Sequence, residues 1–264
     1  MSYDAKPAGI LERISHRAAK QVRVGACAMK NSAPLVSFTF DDCPESAFEH
    51  GHTVLQRFGL CGTFYIASAL IGRRFTQWTV IDEAGVKALA DAGHEIGLHS
   101  HAHDPAGMLS AASFKADLEH NRDVLSAIVP DKAFTNYAYP YGRATLMRKR
   151  QLGELVRSSR SVIPGINAGM LDPHYLLSVE LRDPMPSRED IAAFLAETRG
   201  KNGWLIFMTH DVAPNPDTFG CTPEQFSDIV EQSLEAGLTC LTVDQALDSI
   251  GVPAFSPETA MAAA

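Results

Sequence analysis

Seven short apolar runs, each followed by a stretch with helical character, constrain this 264-residue chain more than any other feature. The runs are Leu35–Phe40, Gly62–Ile66, His94–Leu98, Phe134–Tyr139, Leu176–Leu181, Trp204–Met208 and Leu238–Val243. They have strand length, and most are rich in aromatic and β-branched residues. Helices are predicted over Ser46–Phe58, Ser110–Ile128, Leu146–Val156 and Ser187–Thr198. Thr79 with Asp82 resembles a capping box that opens a further helix to Ala92, stopped by Gly93. Thr222-Pro223-Glu224-Gln225 combines an N-cap, a proline at the first helical position and a capping box, so a helix runs from there to about Gly237. Strands alternating with helices build parallel βα units. A closed barrel and an open doubly wound sheet both satisfy the pattern, and both place ligand sites at the C-terminal ends of their strands. No repeat or low-complexity block interrupts it. The expectation is one α/β domain over 34–252, preceded by a helical extension (1–33) and followed by a flexible tail (253–264).

The polar residues follow the same logic. Asp41 and Asp42 end the first run, and His99-Ser100-His101-Ala102-His103 follows the third. Tyr139-Pro140-Tyr141-Gly142 ends the fourth, and Thr209-His210-Asp211 follows Trp204–Met208. Four strands thus present reactive groups at one end. Two adjacent carboxylates repel, and a cation on one of them relieves the repulsion and leaves the other as a base. On an extended segment His99, His101 and His103 share a face; on a helical turn His99 and His103 come together and His101 turns away. Either geometry, with one carboxylate, supplies two imidazoles and an oxygen to a divalent ion. His50 and His52 lie inside a predicted helix and carry no such expectation.

In order along the chain, Thr39-Phe40-Asp41-Asp42, His99-Ser100-x-x-His103, Tyr139-Pro140-Tyr141-Gly142 and Met208-Thr209-His210 resemble the motifs of polysaccharide deacetylases, the NodB-homology fold of carbohydrate esterase family 4. The resemblance spans roughly residues 35–250 and implies a distorted seven-stranded (β/α) barrel. It implies Asp41 as catalytic base, Asp42, His99 and His103 as metal ligands, the backbone amide of Tyr141 as oxyanion donor and His210 as general acid. Tyr139 and Tyr141 are the expected sugar-stacking residues; for Trp78 a core or interface place is expected. The implied reaction is metal-dependent removal of an acetyl group from an N-acetylhexosamine, N-acetylglucosamine above all, in a bacterial exopolysaccharide or its lipid-linked precursor. The implied cofactor is one divalent ion, Zn2+ by default, with Co2+, Ni2+ or Fe2+ also suited to the donors. Two departures stand out. Many members carry an arginine just before the Pro-Tyr pair, where this chain has Ala138, as in an arginine-less branch that includes exopolysaccharide deacetylases. Arg182 is the expected substitute for orienting the base. The Asp-Trp motif that orients the acid histidine is not recognisable, and Asp172, Glu180 and Asp183 are its candidate replacements. Cys43 stands where glycine is common and reads as a space-filler.

Composition narrows the partners. A formal charge of −8 supplies no basic field for nucleic acid. Five cysteines without CxxC pairing read as free thiols in a reducing compartment. There is no uninterrupted apolar h-region and no run of membrane-span length, so the expectation is a cytoplasmic location. A basic helix over Ile10–Val24 is expected to pack on the domain or on a second subunit; it leaves room for peripheral contact with the inner membrane face, and a homodimer is compatible with it. Two other readings compete: an amidohydrolase of a small amide or cyclic imide, and a metal-containing glycan-binding module without turnover, which the loss of the motif arginine at Ala138 permits.

Overall fold

The computed structural model describes residues 10–255, with side chains described from residue 15. Its centre is strand β1 (Leu35–Asp41), every residue of which is buried. Strands β2 (Thr63–Ile66), β3 (Glu95–Leu98), β4 (Asn136–Ala138) and β5 (Ser158–Arg160) follow on one side, in that order and all parallel. On the other side β1 pairs in parallel with β7 (Trp204–Thr209), which pairs in parallel with β6 (Val179–Glu180). The two flanks meet. Leu176, just ahead of β6, bridges Arg160 of β5 in parallel, with the Ser161 N–H donating to Leu176 O and the Leu176 N–H to Ser159 O, both at 2.9 Å. Seven parallel strands therefore curl into the distorted barrel expected of the sequence.

Membership of the barrel differs from expectation at one strand. Leu238–Val243 yields only a two-residue strand, β8 (Thr239–Cys240), laid beside the start of β1. The seventh barrel strand is instead β5, whose Ser-Ser-Arg sequence carries no apolar signal although all three residues are buried. Small hydroxyl side chains are used there because the strand faces other polar groups: Ser158 Oγ donates to Asn136 Oδ1 at 2.7 Å.

Alternation along β1 sorts its side chains into two environments. Phe38 and Phe40 face the helical layer, meeting Phe226 of helix α7 (Pro223–Glu235) edge-on at 5.5 Å each, while Phe40 stacks on Phe64 at 4.4 Å. Ser37, Thr39 and Asp41 alternate with them and face the other way. Most helices start as the sequence suggested. Ser110, Ser187 and Thr222 are N-caps whose hydroxyls accept backbone N–H groups, with full capping boxes at Ser187 and Thr222. Helix α3 (Glu83–Asp91) is capped by Asp82 itself rather than by a Thr79 box. The helix after β1 opens as a π-helical turn, Ala47–His52, before Thr53–Arg57. There Gly51 lies so close to Phe40 that a Cβ would sit 2.7 Å from its ring.

The extension is docked on the barrel. Helix α1 (Ile10–Gln21) packs on α5 (Leu146–Leu152), and the buried Lys149 ammonium donates to Ala19 O (2.8 Å) and Val22 O (2.7 Å), carbonyls at the C-terminal end of α1. Lys149 also pairs with Asp172. Ser15 Oγ accepts the Leu146 N–H, and His16 Nδ1 lies 2.9 Å from Ala144 O. The flexible tail expected over 253–264 and the first residues of the extension lie largely outside the described residues. Among the described residues no helix is long and apolar enough to cross a membrane.

Candidate active site

The C-terminal ends of β1, β3, β4 and β7 converge on a cavity of about 270 Å³. The chain reaches it through strained turns. Asp42 (φ 60), Cys43 (52), Ser100 (69), His103 (58) and Tyr141 (58) all hold left-handed backbone, and Asn202 is the single other non-glycine that does so among the described residues. At Asp42 this has a direct consequence. A continuing strand would point it away from Asp41; the left-handed turn swings it into the same cleft. Gly142 is needed for the same geometry: its φ is +63, and a Cβ would fall 2.1 Å from Val162 Cγ2.

Asp42, His99 and His103 come together, all buried, with one ligating atom from each within 4.8 Å of the others. Asp42 Oδ1 lies 3.6 Å from His99 Nε2 and 3.2 Å from His103 Nε2. Two ligands about 2.1 Å from one ion at a tetrahedral angle are about 3.4 Å apart, so these separations fit the edges of such a site. Both Asp42 oxygens are buried without a hydrogen-bond partner, a costly state for a carboxylate unless a cation meets it. The neighbouring shell fits too. His99 Nδ1 is 2.9 Å from Ala138 O, so its proton sits there and leaves Nε2 free to ligate, and the His99 backbone N–H donates to Asn121 Oδ1 at 3.2 Å. Burial pushes His103 down to about 4, which keeps its imidazole neutral. His101 faces elsewhere, toward Ser68 Oγ and the ring of His120. His99 and His103 thus come together with His101 turned away, the pairing a helical turn would give, but through an irregular loop with left-handed Ser100 and His103.

Asp41 is 2 % exposed and is gripped through both oxygens by Arg160 Nη2. Burial alone would raise its pKa; the guanidinium, helped by His99 and His210, outweighs it and holds the carboxyl below its ordinary value. Asp42 is also held low: burial raises it and His103, His99 and His210 lower it further than Asp41 raises it. Arg160 is fully buried, with its guanidinium carbon 5.2 Å from the Tyr65 ring centre. In register it stands directly opposite Ala138, the position where the resemblance leads one to look for an arginine.

The arginine expected at Asp41, Arg182, is elsewhere. It lies over the Phe219 ring at 4.3 Å, with Nη1 3.6 Å from Glu180, on the cavity wall. Tyr139 is a second correction: it is buried, its hydroxyl donates to His174 O at 3.1 Å, and it packs against Tyr137 and Tyr175, so it cannot stack on a ligand. Tyr141 does line the cavity, exposed and with its ring 4.6 Å from that of His103. His210 Nε2 approaches Asp42 Oδ2 at 3.9 Å. None of Asp172, Glu180 and Asp183 hydrogen-bonds it, and its buried Nδ1 has no partner. Asp172 serves Lys149 instead. His210 is held by rings, with Trp78 stacked at 6.0 Å and Phe219 edge-on at 5.6 Å. Trp78 is buried as expected, yet it also lines the cavity.

Sequence reasoning missed Arg160, Asn121 and Phe219. The only signal for Arg160 was one cation between serines after a helix, which resembles a surface loop.

Residues 28–155, just under half of the chain, match the family model "Polysaccharide deacetylase". No curated protein matches the sequence. Among solved structures, a family 4 acetyl xylan esterase from Clostridium thermocellum in complex with a cobalt ion is 21% identical, with a TM-score of 0.59 over 86% of this chain and 96% of that one. A structure described as T48 deacetylase with substrate is 18% identical, TM-score 0.56, over 85% and 98%. BA3943 from Bacillus anthracis, described as a CE4 family pseudoenzyme, is 15% identical, TM-score 0.56, over 83% and 67%. These likenesses establish the shared fold.

Proposed function

We propose that this chain is a metal-dependent polysaccharide deacetylase that removes the acetyl group from an N-acetylhexosamine unit, N-acetylglucosamine being the first candidate, in a bacterial polysaccharide or its precursor. The observation that carries the reading is the pairing of two adjacent carboxylates with opposite provisions. Asp42 faces two imidazoles with both oxygens free of hydrogen bonds, and Asp41 is held as a carboxylate by Arg160.

Asp42, His99 and His103 would hold the ion, which would polarise the acyl carbonyl and acidify a water in the cleft. Zn2+ suits two imidazoles and a carboxylate, as do Co2+, Ni2+ and Fe2+. Asp41 takes the proton of the attacking water. Arg160 keeps that carboxylate ionised beforehand and aims it. As the carbonyl carbon becomes tetrahedral, the backbone amide of Tyr141, in its left-handed turn beside His103, is the donor for the developing oxyanion. His210 delivers a proton to the nitrogen as the C–N bond breaks, giving acetate and a free amino sugar. Trp78 and Phe219 hold the His210 ring for that transfer, with Nδ1 buried and Nε2 turned toward Asp42 and the cleft.

The test is acetate release from chito-oligosaccharides of increasing length, with and without chelator. Chelator-sensitive release abolished by Asp41→Asn is expected. Release that survives Asp41→Asn would refute the assignment, and no release from any length would point to the binding-module reading that the pseudoenzyme likeness keeps open. A small amide or cyclic imide as substrate is favoured by the modest cavity, about 270 Å³, just under the usual range for ligand pockets. On that reading turnover does not increase with oligosaccharide length.

A further inference from the structure

We infer that the cleft is built for an anionic glycan: the substrate carries a carboxylate or phosphate close to its acetamido group, and Arg182 binds it. The inference rests on the deacetylase reading and specifies its substrate class.

Arg182, whose side chain is 35% exposed, differs from the buried arginines of the barrel. Arg148 donates to Ala106 O and Leu109 O, Arg157 to Asp244 and Asp248, and Arg160 to Asp41; each is spent on the protein. The Arg182 guanidinium lies on the cavity wall and makes no hydrogen bond among the described residues. It is nevertheless held in place. Its guanidinium carbon rests 4.3 Å from the Phe219 centre, and the Glu180 carboxylate stands 3.6 Å from Nη1, too long for a hydrogen bond but close enough to orient the charge. Side-chain ordering is therefore largely complete before a ligand arrives, and the planar fork of N–H donors remains open.

Its position ties it to the chemistry. Phe219 carries Arg182 on one side and meets the His210 ring edge-on, so the guanidinium lies one aromatic ring away from the residue assigned to protonate the leaving nitrogen. Asp41 is neutralised by Arg160, and Asp42 faces the histidine pair that would hold a cation, so neither carboxylate is left to occupy the Arg182 donors. A neutral sugar would leave the open donors of Arg182 facing a shrinking pool of water. A carboxylate or phosphate would satisfy them through paired, charge-assisted hydrogen bonds.

The experiment compares kcat/KM for acetate release from chitotetraose, from a tetrasaccharide alternating N-acetylglucosamine with glucuronic acid, and from chitotetraose carrying one 6-phosphate. Wild-type protein is expected to favour at least one anionic substrate over chitotetraose by about tenfold or more, chiefly through KM, and the preferred arm identifies carboxylate or phosphate. Arg182→Ala should collapse that ratio toward one, Arg182→Lys should retain part of it, and Glu180→Gln should increase it. Thermal melting establishes that each variant is folded. Equal or better turnover of chitotetraose by the wild type would overturn the inference while leaving the deacetylase reading intact. So would an Arg182→Ala variant that loses all three substrates by one factor. Acetate release from none of the three would overturn both.

Discussion

Arg160 grips both carboxylate oxygens of Asp41 from the strand position directly opposite Ala138. A charge expected at one strand end is thus supplied by the next strand of the same barrel, across a single register step. Because both residues are buried, removing one leaves the other as an uncompensated charge, which typically costs about 3–5 kcal/mol. Arg160→Ala is expected to lower the melting temperature and to reduce acetate release by about 100-fold or more. Adding Ala138→Arg to that variant should recover part of both. Failure of the double variant to recover activity while it recovers stability would show that the guanidinium must approach Asp41 from β5.

The ligand set predicts a metal count. Purified protein should bind close to one equivalent of Zn2+ or Co2+, and His99→Gln, His103→Gln and Asp42→Asn should each reduce retention after dialysis. Disturbing the neighbouring shell should act more gently: Asn121→Ala, which removes one of the two acceptors of the His99 backbone N–H, is expected to weaken affinity by about 10-fold. Elemental analysis after dialysis against graded chelator measures both.

Two buried histidines outside the site predict acid sensitivity. Burial, with His52 as neighbour, drives His94 to about 4; burial, with Lys149 nearby, drives His174 to about 4. His94 Nδ1 already accepts the Gly62 N–H at 2.9 Å, so protonation there would set donor against donor. In the unfolded chain each titrates near 6.5. Between about 6.5 and 4 the unfolded state therefore binds more protons, and stability falls as pH falls through that window; above it the contribution is complete and flat. Each histidine contributes up to about 3 kcal/mol. Urea midpoints should hold steady from pH 8 to 7 and drop steeply by pH 5, with a shallower drop in His94→Gln.

Gly142→Ala tests the oxyanion loop. The substitution adds a methyl group 2.1 Å from Val162 Cγ2 at a residue whose φ is +63. Activity should fall further than stability, because the displaced segment carries Tyr141. Val162→Ala in the same protein should relieve the clash and recover part of kcat, leaving the backbone conformational cost of about 1 kcal/mol in the melting temperature. Loss of the fold without loss of specific activity in the surviving fraction would argue against a role for this turn.

Much of this molecule was legible from sequence because its determinants are local. Apolar runs at strand spacing mark six of the seven barrel strands, hydroxyl and acidic caps mark helix starts, and the ordered Asp-Asp, His-x-x-x-His and His210 signals mark the strand ends. Each depends on residues within a few positions of one another. What the sequence could not disclose depends on which strands become neighbours. Ser158–Arg160 has no apolar periodicity, so only closure of the sheet identifies it as a barrel strand. In the linear chain Arg182 is the expected partner for Asp41; burial on β5 gives that place to Arg160 and leaves Arg182 on Phe219. Tyr139 and Tyr141 are two residues apart in one motif, yet the strand holds the first in the core and the left-handed turn delivers the second to the cleft. The sequence by itself determined the fold class and the chemical types at the site. Tertiary structure decided which cation meets which carboxylate, because electrostatic and ring contacts act through space and fall off within a few ångströms, a distance that separation along the chain does not report.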